Sequence, residues 1–303
     1  MSTPITALDV ARWNMMEEDY RNRPLAERME EAEQKKAAAD KEAARKKYVA
    51  ENLVLPRKLW NNSTAMGRFA LSCSLFGFGR GERANLQVTL PTFGNGRVHY
   101  EGPELRQDDL AVLEGLISLT RDNELLTEPL RVKPAEFCVS IGWSKSSSDK
   151  QKLLESITRM RKSDLHIVID SKNWGMFHLI GDIGESEDVD GNKADDGGYN
   201  VCLSPTIRRL FAGGMTFLPL TDRQLLTDGL QTWLAGFLRA WRNVDRFSVE
   251  DLYRYSGSKQ KQVREFGRDL KDALKKLQAV GIIQGFESGR GWVEVTHKDR
   301  NEE

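Results

Sequence analysis

Between Lys259 and Lys275 the chain sets Lys261, Arg264, Arg268, Lys271 and Lys275 at alternating steps of three and four. At about 100° per residue these cations form one ridge along a helix. Val263, Phe266, Leu270, Ala273, Leu274 and Leu277 keep the same period on the other side, the stripe by which a helix packs on a core. Glu265, Asp269 and Asp272 fall to one flank, so the ridge stays positive. Binding DNA takes cations for phosphates, amides or guanidinium groups for base edges, and a rod narrow enough for the major groove. The segment supplies all three. Lys259, Gln260, Lys261 and Gln262 stand at the helix N-terminus, the end that enters the groove. Arg264 and Arg268 are placed to reach base edges, and Lys271 and Lys275 to touch the backbone. Ser288 and Arg290, in the tip "ESGRG", would meet a phosphate or the minor groove. Any one of these side chains alone reads as ordinary solvation; the set on one helix face reads as a nucleic-acid surface.

Catalytic chemistry has no comparable candidate, and an enzyme is not expected. There is no GxxxxGK[ST] loop, and "GFGRGER" (77–83) lacks the strand and helix that a dinucleotide fingerprint needs. His99, His166, His178 and His297 are far apart in sequence, and the loop "DVDGNKADD" misplaces the glycine of a calcium site and lacks its final glutamate. Cys73, Cys138 and Cys202 have no CxxC spacing, which argues against both a disulfide framework and a zinc site and suits a reducing cytoplasm. No metal or cofactor is expected. No apolar run reaches the length of a membrane span, so a cytoplasmic protein without a membrane partner is expected.

The elements that must position the ridge follow from composition and period. The 303 residues carry 45 basic and 45 acidic side chains, so the average is neutral while the signs are segregated. Residues 254–276 hold eight basic and three acidic residues, and 182–196 hold seven acidic and one basic. Residues 1–61 read as a charged, largely helical extension, rich in Ala, Glu and Lys. From residue 62 the chain turns globular. "NLQVTLPTF" and "RVHYEG" read as a hairpin about "GNG", and "RQDDLAVLEGLISL" as a helix with an acidic first turn. "LRVK" is a strand, "PAEFCVS" a helix begun by proline, and "SSSDKQKLLESITRMRK" a serine-capped helix with Leu153, Leu154, Ile157 and Met160 inward. Ser148, Lys152, Ser156, Arg159 and Lys162 are assigned its outer face. "LSCSLF" (71–76) is expected to be the first strand. Further on, "TDRQLLTDGLQTWLAGFLRAWR" reads as one long helix and "FSVEDLYRYSG" as a short capped one, before the ridge helix and the hairpin "IIQGF…WVEVTH".

Both halves thus run long helix, short helix, helix with a polar face, hairpin. A helix-turn-helix closed by a hairpin is a winged helix, and the expected architecture is α+β, with two tandem winged helices at 62–216 and 217–303. The second carries the main recognition surface. In the first, Lys145, Ser147, Lys150, Lys152 and Arg159 are the candidate DNA contacts.

The stretches "VHYEGPELRQDDLAVLEGLISL" (98–119), "EFCVSIGWS" (136–144), "YNVCLSPTIRRLFAGG" (199–214) and "VREFGRDLKDALKKLQAVGII" (263–283) resemble the TrfA- and RepC-type plasmid replication initiators. The resemblance covers about 63–297 and leaves out the N-terminal extension. It implies a bacterial, plasmid-encoded protein that binds direct repeats (iterons) at an origin, helps to open it, and recruits the host initiator DnaA and the replicative helicase. It further implies a homodimer through the first winged helix, less active than the monomer. "LSCSLF" lacks the glutamine of the clamp-binding pentapeptide found in some relatives. A winged-helix transcriptional repressor and a non-catalytic docking adaptor are the competing readings.

Overall fold

The computed structural model describes residues 63–298, apart from 80, 95, 121–127, 170–171, 186–196, 212 and 227–228. The charged extension over 1–61 and most of the acidic loop lie outside the described residues. Strand β1 (Ser63–Gly67) leads into a short helix α1 (Arg68–Leu71) and a 3-10 turn at Ser74–Phe76. The expectation that residues 71–76 form the first strand is therefore corrected. Leu71, Leu75 and Phe76 are buried as in a strand, but a helical turn presents them to one core.

Strands β2 (Asn85–Thr92) and β3 (Gly96–Pro103) form the hairpin read from the sequence. Helix α2 (Gln107–Leu119), strand β4 (Leu130–Val132), helix α3 (Pro134–Ser140) and helix α4 (Ser147–Arg161) follow. Pro134 opens α3, where its missing N–H costs nothing, and the Ser146 hydroxyl caps α4 by accepting from Asp149 N at 3.2 Å. A second hairpin, β5 (Asp164–Ile169) and β6 (Lys172–His178), joins the first in a sheet of order β2-β3-β5-β6. Strands β7 (Ile180–Glu185) and β8 (Tyr199–Leu203) return to β4 in the order β4-β8-β7. After a 3-10 turn at Ile207–Phe211, β9 (Met215–Pro219) pairs with β1.

The long helix expected over 221–242 is two. Helix α5 (Leu220–Leu225) stops at Leu226, whose φ of −110° and ψ of 135° are extended, and α6 (Gly229–Ala240) starts afresh. Then come β10 (Arg246–Ser248), α7 (Val249–Ser256), α8 (Val263–Ala279), β11 (Ile283–Gly289) and β12 (Trp292–His297). The sheet order is β10-β12-β11. Two segments therefore share one plan: helix, strand, helix, helix, then two strands whose last lies between the others. In the first segment the β5–β6 hairpin is inserted between the third helix and the closing strands.

Each segment has its own core. The first packs Val112, Leu113, Leu116, Leu153, Ile157 and Met160 against β3, β5 and β8; the second packs Trp233, Leu234, Phe237, Phe266, Leu270 and Leu274. The β2–β3 hairpin fixes one segment to the other. Its tip residue Phe93 meets Phe237, Trp241, Phe247 and Tyr255 at ring distances of 4.8–5.8 Å, mostly edge to face. The Trp241 and Trp233 indoles donate to Ser72 Oγ (2.6 Å) and Cys73 O (3.1 Å), and Arg223 clamps both Glu114 oxygens at 2.9 and 3.0 Å. Gly257 closes α7 at φ 65°, and a Cβ there would sit 2.4 Å from Ser74 Cβ. Left-handed backbone and close approach to the first segment both require glycine at this point.

Candidate nucleic-acid interface

Helix α8 buries Phe266, Leu270, Ala273, Leu274 and Leu277 to 3% exposure or less. Arg264, Arg268, Lys271 and Lys275 lie in solvent on the opposite side, and Lys261 and Gln262 are exposed just ahead of the helix. Val263, expected in the apolar stripe, is 36% exposed, because it is the first helical residue and overhangs the core. The four residues expected at the helix N-terminus belong to the turn before it, with Gln262 as N-cap. Tyr253 Oη donates to Gln260 O at 2.7 Å and holds that turn in place.

Two of the four do not project freely. The Gln260 amide donates to the Asp269 carboxylate, folding the side chain back along the helix. Lys259 Nζ lies 3.1 Å from Glu104, a carboxylate 8% exposed in the first segment and also held by Arg106 at 2.9 Å. Burial alone would raise the Glu104 carboxyl, but Arg106 and Lys259 together hold it below the usual range. The turn that introduces α8 is thereby tied to the loop ahead of α2. Lys275 pairs with Asp272 at 2.9 Å, with both side chains about two-thirds or more exposed, a contact too solvated to restrain it. Ser288 and Arg290 are exposed at the β11–β12 tip, and the Arg246 guanidinium lies 4.1 Å above the Trp292 ring at its base.

The first segment differs from expectation. Lys145, Ser147 and Lys150 are exposed around the start of α4. Ser156 and Arg159, however, face inward. Asp109 of α2, with its side chain fully buried, accepts from Ser156 Oγ (2.7 Å), Arg159 Nη2 (2.9 Å) and Nε (3.1 Å), Arg83 Nη1 (2.7 Å) and the Arg106 backbone N–H (2.8 Å). Arg83 also grips Asp108 at 2.7 Å, and Lys152 reaches the same carboxylate at 3.6 Å while lying 4.1 Å over the Trp143 ring. Burial pushes the Asp108 carboxyl up, and Arg83 outweighs it, so the group is held below the ordinary range. Arg159 is thus a strut between α2 and α4 rather than a free cation, and Lys152 is half committed. The side of α4 that does face solvent carries Gln151, Arg161 and Lys162, with Thr158 half-exposed. Gln151, Thr158 and Arg161 were not singled out from the sequence. Centring the buried stripe on Leu153, Ile157 and Met160 alone would have found them.

Among the described residues no three His, Cys, Asp or Glu side chains gather as a metal site, and no helix is long and apolar enough to cross a membrane. No protein-family model matches the chain, and no curated protein does. Solved structures do match. The crystal structure of domains 2 and 3 of RctB superposes with a TM-score of 0.53 at 14% identity, covering 77% of this chain and 99% of that one. The fold is that of RctB domains 2 and 3. A second structure of the same two domains has 15% identity and a TM-score of 0.47, covering 75% of this chain and 96% of that one.

Proposed function

We propose that this chain is a replication initiator that binds directly repeated sites (iterons) at an origin through two tandem winged helices, helps to open it, and recruits host replication proteins. The observation that carries the reading is the α8 ridge: Arg264, Arg268 and Lys271 project from the third helix of a helix–strand–helix–helix–hairpin unit, with Lys261 and Gln262 exposed in the turn that leads into it. That is where such a unit presents a helix to the major groove. Two things of different kind support initiation over other DNA-binding roles. RctB, whose domains 2 and 3 share this fold, is a chromosome replication initiator. Independently, the segments around residues 98–119 and 263–283 resemble plasmid initiators of the TrfA and RepC type.

In this reading α8 supplies most of the base readout, with Arg264 and Arg268 on base edges and Lys271 and Lys275 on phosphates. The β11–β12 tip reaches the flanking backbone through Ser288 and Arg290. The first unit adds contacts from Lys145, Ser147 and Lys150, extended along α4 by Gln151, Thr158 and Arg161. The protein is non-catalytic, cytoplasmic and plasmid-encoded, with DnaA, the replicative helicase and a second copy of the chain as partners. The test is maintenance of a DNA circle that has no origin of its own but carries the DNA flanking this gene. The circle should persist in cells supplying the chain and be lost with the Lys261/Arg264/Arg268 triple alanine variant. Failure to persist with the natural chain, alongside repression of a promoter in the same fragment, would replace initiation with transcriptional control.

A further inference from the structure

The sheet β2-β3-β5-β6 turns one face to the core with Val98, Tyr100, Leu165, Ile167 and Phe177. Its other face carries three of the four histidines of the chain. Antiparallel register brings His99 and His166 side by side although 67 residues separate them (166 − 99). Thr89 stands opposite His99, His99 opposite His166, and His166 opposite Met176. Directly opposed residues share a face, so these four form a row across all four strands. The row lies in a surface cleft of about 300 Å³.

The geometry points to a copper site, built on His99 and His166 with the Met176 thioether as third ligand. The two imidazoles have ring centroids 5.3 Å apart, tilted by 32°, on adjacent strands that hold them in place. Thr89 Oγ1 lies 2.7 Å from His99 Nδ1. When that ring nitrogen is the donor, Nε2 keeps its lone pair and points away from the threonine, the device by which a second residue orients a metal-ligating histidine. Met176 is 68% exposed, an uncommon place for a large apolar side chain and an accessible one for a sulfur donor. Two imidazoles and a thioether form a set that favours copper over harder ions, since thioether selects Cu(I) and imidazole binds Cu(II) most tightly among the divalent first-row ions. A bound ion would join β3 to β5 and steady the hairpin whose tip, Phe93, locks the two winged helices together.

The test is a titration of the full chain with Cu(I) under reducing conditions against a chromophoric chelator, with thermal unfolding followed in parallel. One equivalent should be withheld from the chelator and the midpoint of unfolding should rise. His99→Ala and His166→Ala should each abolish both effects. Thr89→Val should weaken binding about 10- to 100-fold, as loss of an orienting partner does. Met176→Leu should weaken Cu(I) at least tenfold, and an unchanged affinity would remove the thioether from the ligand set. His178→Ala, which alters the neighbouring row where His178 meets Asp164 at 3.2 Å, should bind as the natural chain does. Equal Cu(I) binding by the natural chain and a folded His99/His166 double variant, checked by circular dichroism, would overturn the assignment.

Discussion

Replacing Arg159 with alanine separates a strut from a DNA contact. Its guanidinium makes two hydrogen bonds to Asp109, whose side chain is fully buried, and is itself 16% exposed. Breaking a buried ion pair by removing one partner costs about 3–5 kcal/mol. Asp109 would still keep Arg83 and Ser156, so the cost falls to the lower end or below it, about 2–3 kcal/mol. For a folded unit of this size that lowers the unfolding midpoint by roughly 5–10 °C. The assay is thermal unfolding by circular dichroism, paired with fluorescence anisotropy on repeat-containing DNA well below the transition. The variant should unfold early yet bind DNA within about twofold of the natural chain, with the same salt slope. An unchanged midpoint with tenfold weaker binding and a salt slope reduced by about one would refute the strut and restore Arg159 to the DNA surface.

Arg264→Ala and Arg268→Ala should each cost about 1–3 kcal/mol of binding to the specific site and relax base preference at one or two positions, measured by competition with substituted repeats. Lys271→Ala should weaken all sequences alike and lower the salt slope by about one. Phe93→Ala should cost about 2–3 kcal/mol, less than the ~3–5 kcal/mol of a fully buried phenylalanine because its ring is only partly covered, with chemical denaturation as the readout. Acid should loosen the α2 network. The Asp108 and Glu104 carboxyls are depressed in the folded state, so their contribution is complete above the unfolded carboxylate range near pH 4 and is lost as pH falls through the folded values. Asp108→Asn should flatten the fall in unfolding midpoint below about pH 4, and an identical pH profile would count against the network.

The ridge helix was legible because its whole pattern is local: five apolar residues at three–four steps fix which way α8 faces, and the cations follow from them. The same rule misled on α4. Ser156 and Arg159 look like surface residues, but each answers a carboxylate some fifty positions earlier, and a polar side chain satisfied from afar carries no local mark of burial. The stretch "YEGPELRQDDLAVLEGL" supplies that network through Glu104, Arg106, Asp108 and Asp109, while its Glu114 makes a separate pair with Arg223. The helix break at Leu226 was missed because Leu225, Leu226 and Leu230 continue an apolar period across it. The histidine row was invisible for the plainest reason, since only strand register makes neighbours of residues 99 and 166.

A ridge on α8 that reads repeated sites should leave a periodic footprint on DNA. Purified protein on the DNA flanking its own gene, at two salt concentrations, should protect several regularly spaced direct repeats, and the Lys261/Arg264/Arg268 triple variant should protect none. Protection of a single inverted repeat, or an unchanged footprint from the triple variant, would contradict the account.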